Sequence, residues 1–131
     1  MRFDSKNDLV SYGFSGFKSV TEIRDNKSLV PDKSGVYIVL FPEKVSPEFI
    51  YPGSGGFFKG KDPNVTIDIL KRNWVDNSPV IYIGKAGGSK SDATLRKRIG
   101  QYLAFGSGRD IGHYGGRFIW QLANHEDLIF C

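Results

Sequence analysis

Cysteine, methionine and histidine are nearly missing from this chain. Of 131 residues, one is cysteine (Cys131), one is methionine, and two are histidine. A single thiol excludes an internal disulfide and any metal cluster built on several cysteines, and it agrees with a reducing compartment. No apolar run approaches the length of a membrane span. The first residues, Met1 to Asp8, lack the apolar segment of a signal peptide. No membrane partner is expected, and the cytoplasm is the default location. Charge of one sign is in only slight excess: 18 Lys and Arg against 14 Asp and Glu give +4, with a pI near 9.2. Such a balance is compatible with a polyanionic partner without requiring one.

Aromatic residues are plentiful. Ten Phe, six Tyr and two Trp can supply much of one modest core, and the length fits one domain. Residues 1–34 read as an N-terminal extension packed on that domain. Within it, Tyr12 to Phe17 mixes aromatics and glycines without clear periodicity, and Ser19 with Glu22 has the spacing of a capping box before a short helix. Residues 35–131 carry the domain proper, with an insertion over 42–79. That insertion holds a short helix expected after Asp62 and Pro63, and it places Lys59, Lys61, Lys71 and Arg72 near Phe57, Phe58 and Trp74. Charge beside aromatic rings suits nucleic acid. The commoner explanation is that the rings anchor the insertion while the lysines are solvated.

The chain is organised around two β-branched runs and a helix. Alternation in Gly35 to Phe41 puts Tyr37, Val39 and Phe41 on one face and Val36, Ile38 and Leu40 on the other. Two apolar faces predict a central strand. In Val80 to Lys85, Tyr82 and Gly84 share a face, so both tyrosines can meet. The helix predicted over 94–105 buries Leu95, Ile99 and Leu103 as a stripe. Arg98 and Tyr102, four apart, flank one edge of that stripe, and Arg96 flanks the other. Gly100 inside the helix suggests a close backbone approach. After a glycine-rich loop, Arg117 to Leu122 reads as a third strand and Asp127 to Cys131 as a fourth. An apolar end is unusual for a terminus, so the natural protein is expected to continue.

Gly35, Val36 and Tyr37, followed by Tyr82, Ile83 and Gly84, resemble the paired signature of the GIY-YIG nuclease superfamily. Leu95, Arg98 and Tyr102 are similar to its helix motif. The resemblance runs from Gly35 to the C-terminus with one departure: the family joins its tyrosine strands by a hairpin, whereas residues 38–81 intervene here. The resemblance implies an α+β fold, with a small central antiparallel sheet flanked by helices and a long insertion between the first two core strands. It also implies metal-dependent hydrolysis of phosphodiester bonds in DNA, using Mg²⁺ or Mn²⁺.

The chemistry is consistent with those residues. A phenol titrates near pH 10 and needs neighbouring cations to act as a base near neutrality. Either Tyr37 or Tyr82 is the expected general base. Lys85 is expected to tune it, Arg98 to grip the phosphate with two donors, and Tyr102 to orient water or phosphate. Arg96, His113 and Arg117 are the candidates for substrate contact, and with Arg109 the glycine-rich loop has the composition of a phosphate-binding nest. Glu126 is the candidate metal ligand. The family's carboxylate lies beyond its third strand, so a continuing chain could carry it instead. The main alternative is a binding module on the same scaffold without turnover. A third reading, in which the insertion forms a pocket for a small phosphorylated ligand or a protein partner, would show little dependence on salt.

Overall fold

In chain order the elements are helix α1 (Lys6–Ser11), strand β1 (Lys18–Ser19), helix α2 (Val20–Asp25), strand β2 (Gly35–Leu40), helix α3 (Ile67–Asn73), strand β3 (Val80–Ala86), helix α4 (Leu95–Gly106), a 3-10 segment (Tyr114–Gln121) and strand β4 (Ile129–Phe130). They come from a computed structural model that describes residues 3–42, 46–88 and 91–131. Residues 43–45 of the insertion and 89–90 of the loop after β3 lie outside the described residues.

The protein is α+β. Its four strands form one antiparallel sheet in the order β1-β4-β2-β3, so β2 is interior as its two apolar faces require. One face carries Tyr37 and Val39 toward Ile99, Tyr102 and Leu103 of α4, in the main core. The other carries Ile38 and Leu40 toward Leu9 of α1, with Phe3, Phe14 and Phe17 packed around them. Helix α1 lies just before the Tyr12–Phe17 stretch, in a part of the N-terminal extension where no helix is expected from the sequence. Its signal is local: Ser5 and Asp8 form a reciprocal capping box. Ser19 and Glu22 do the same for α2, as their spacing predicts.

Helix α4 starts where Thr94 accepts a hydrogen bond from the Lys97 amide. Its first free amides are taken by the preceding turn: Leu95 N donates to Lys33 O at 2.7 Å and Arg96 N to Pro31 O at 3.1 Å. The close approach expected at Gly100 is absent, since a Cβ there would meet nothing within 4 Å.

The strand expected over Arg117–Leu122 is instead part of the 3-10 segment. Residues 119–122 are all buried, as residues 37–40 of β2 are, so burial does not by itself set the segment's conformation. Gln121 explains the geometry. Its side chain accepts from Val65 N and donates to Ile50 O and Val65 O, all within 3.0 Å, which ties the insertion to the core. The sheet's third core strand is β4, within the apolar run that precedes Cys131. Helix α3 begins after Thr66, not at Asp62, whose carboxylate instead closes a turn onto the Asn64 amide. Trp74 turns inward, edge-on to Phe41 and Phe49.

Candidate active site

The register of β2 and β3 sets Tyr37 opposite Gly84 and Val39 opposite Tyr82. Directly paired residues share a face, so both phenols point toward α4. Tyr37 fills the space that Gly84 leaves: a Cβ on Gly84 would lie 2.3 Å from the Tyr37 ring. The Tyr37 and Tyr82 ring centroids are 6.1 Å apart, and Phe130 stacks on Tyr37 at 5.9 Å. Helix α4 brings Tyr102 to 5.1 Å from Tyr82 and 6.4 Å from Tyr37. Three tyrosines from three elements therefore meet over one end of the sheet.

Their accessibility differs. Tyr37 is 2% exposed and Tyr102 0%, whereas Tyr82 and Arg98 are half-buried. The Tyr102 hydroxyl donates to Gly116 O at 2.6 Å, so it is committed to the 3-10 segment rather than open to water. Burial, first, holds the Tyr37 phenol well above its ordinary range. The Tyr82 charge and the hydrogen bond from Tyr37 to Tyr82 act in the same direction, and the Arg98 guanidinium opposes them. Tyr102 is raised as well, again chiefly by burial.

His113 completes the cluster. It is 4% exposed and stacks on Tyr102 at 4.5 Å. Burial and the Arg98 guanidinium push its imidazole down to about 4, against a hydrogen bond to the Arg98 backbone that favours the charged form. Its Nε2 is buried without a partner among the described residues. Arg98 donates from Nη1 to Gln101 Oε1 at 3.3 Å. Gln101 was not singled out from the sequence, although a three-residue helical spacing is the signal for such a partner.

The structure does not bring every expected residue here. Lys85 is exposed and pairs with Val36, so alternation places it on the sheet face opposite Tyr37 and Tyr82. Arg96 donates from Nε to Val30 O at 2.9 Å and lies 3.9 Å from Asp32, which fastens α4 to the preceding loop. Arg117 lies over the Phe118 ring at 4.8 Å. Glu126 sits 3.3 Å from Arg24 Nε, and its backbone carbonyl accepts from Thr21. No three His, Cys, Asp or Glu side chains come together to hold an ion among the described residues.

The neutral His113 makes stability depend on pH. Its folded pKa is depressed, so the stability it contributes is fully present above about 6.5 and is lost as pH falls toward about 4. The urea midpoint should fall across that window. His113→Gln should flatten the slope, leaving a residual from His125, whose imidazole is lowered for the same reason. Comparison with protein-family models, with curated proteins and with solved structures gave no match to this chain.

Proposed function

We propose that the protein is a GIY-YIG-type endonuclease that hydrolyses phosphodiester bonds in DNA, with Tyr82 and Arg98 as the reacting groups. The observation that carries the reading is the asymmetry of the three phenols. Tyr37 and Tyr102 are sealed in the core, while Tyr82 reaches solvent.

Each role follows from position. Tyr82 acts in its phenolate form: it takes a proton from the attacking water and becomes the neutral phenol. Tyr37 stays protonated, and its ring backs the Tyr82 ring at 6.1 Å. Arg98 offers two donors to the phosphate as charge develops on it. His113 stays neutral and holds the backbone at Arg98. Tyr102 forms the rear wall and keeps the 3-10 segment against the helix. Lys85 has no part in this arrangement.

A plasmid-nicking assay with Mg²⁺ or Mn²⁺ present tests the assignment. Tyr82→Phe keeps the ring and its packing but removes the hydroxyl, and nicking should fall about 10²-fold or more. Equal nicking by Tyr82→Phe and wild type would overturn it. The second reading, a nucleic-acid-binding module without turnover, is favoured by the engagement of Glu126 with Arg24. In that case the wild type binds DNA and nicks it with neither ion.

A further inference from the structure

The insertion divides its aromatics in two. Trp74 is an internal anchor. Phe58 lies against Gly112, with the ring 3.4 Å from where a Cβ would stand. Phe57, by contrast, is 54% exposed. It sits on a tight turn in which Gly60 N donates to Phe57 O and Lys61 N to Phe58 O.

That turn is fixed to the loop that follows α4. Gly56 N donates to Phe105 O at 2.8 Å, and Lys59 N donates to Asp110 Oδ1 at 3.1 Å. A Cβ on Gly56 would lie 1.9 Å from Arg109 O, so the two backbones touch and only glycine fits. Lys59 adopts φ 53°, a left-handed conformation that costs about 1 kcal/mol for a residue with a Cβ and is kept by these surrounding contacts. The exposed Phe57 thus belongs to a turn that also carries exposed Lys59 and Lys61, with Lys59 Nζ 5.3 Å from the Phe58 ring centroid, and the loop fixed to this turn carries exposed Arg109. The nearby Asp110 and Asp62 each turn a carboxylate oxygen onto a loop amide. Two consecutive turns, Ile111 N to Arg109 O and His113 N to Ile111 O, then connect this surface to the His113 that holds Arg98.

We infer that this turn is a landing site for an unpaired DNA strand, in which Phe57 stacks on a base while Lys59 and Arg109 contact the flanking phosphates. The inference rests on the nuclease reading of the tyrosine site and narrows its substrate to DNA with a single-stranded stretch. An exposed ring can stack only on a base that is not already stacked inside a duplex, and base–aromatic stacking is indifferent to sequence. The cations supply the charge that such a strand needs.

The test measures fluorescence anisotropy with labelled oligo(dT) of about 12 nucleotides and with a matched duplex, in parallel with nicking. Phe57→Ala should weaken oligo(dT) binding between about 5- and 150-fold and leave duplex binding and the melting temperature unchanged. Lys59→Gln and Arg109→Gln should each lower the salt slope by about 0.7. Tyr51 is the control: it is 59% exposed but borders Thr66 and Asp68 rather than cations, so Tyr51→Ala should change nothing. Unchanged oligo(dT) binding by Phe57→Ala, or equal loss with the duplex, overturns this inference and leaves the tyrosine site standing. Loss of binding in Phe57→Ala together with full nicking by Tyr82→Phe overturns the site instead. A wild type that binds neither nucleic acid overturns both.

Discussion

Arg98→Ala should lose cleavage by about 10²- to 10³-fold or more while the protein still folds. The size follows from removing a positioned cation from a phosphate whose charge grows in the transition state. The fold should survive because the side chain holds little of the structure. Arg98 is half-buried, its hydrogen bond goes to its helical neighbour Gln101, and His113 contacts its backbone, which alanine retains. Alanine is also the better helix former. Arg98→Lys should recover only part of the rate, because an ammonium cannot present two parallel donors. Arg96→Ala should do the reverse, lowering stability through the lost bond to Val30 O while sparing the rate. Circular dichroism with single-turnover nicking separates the cases. An Arg98→Ala protein that cleaves at the wild-type rate would remove the guanidinium from the mechanism.

Gly84→Ala should destabilise the fold by about 3 kcal/mol or more and abolish activity with it. The added methyl would stand 2.3 Å from Cζ, 2.4 Å from Oη and 2.6 Å from Cε1 of Tyr37. That ring has nowhere to retreat. It is 2% exposed, with Phe130 stacked on it and Tyr82 and Tyr102 alongside. Gly100→Ala serves as the contrast. No atom lies within 4 Å of a Cβ there, and the site is interior to α4, so the substitution should stabilise by about 0.5–1 kcal/mol. Thermal melts of the two variants should therefore move in opposite directions. A Gly84→Ala protein as stable as wild type would mean that the phenol does not occupy the notch above β3.

Features governed by short periods are legible in the residues alone. The two apolar faces of residues 35–41 make β2 interior, and its register with β3 puts Tyr37 and Tyr82 on one side. The four-residue spacing of Arg98 and Tyr102 places them on one edge of α4. Ser19 with Glu22 marks the start of α2. The same alternation already separates Lys85 from Tyr82, since an odd spacing along a strand reverses the face. The expectation that Lys85 joins the site conflicted with it.

The remaining features follow from long-range packing, because they depend on which distant groups satisfy each buried polar atom. Arg117 to Leu122 has a strand-like composition, yet Gln121 is bonded to Ile50 and Val65 and Gly116 O to the Tyr102 hydroxyl, and both draw the segment into a 3-10 turn. Tyr102 is expected from the sequence to orient water or phosphate, yet its hydroxyl is committed to that carbonyl. Glu126 looked available until Arg24, from a helix a hundred residues earlier (Thr21 to Glu126 spans 105), lay against it. Side-chain periodicity is local and survives in the sequence. Hydrogen-bond satisfaction across the core is not local, and it ranked three similar phenols into two sealed ones and one that meets solvent.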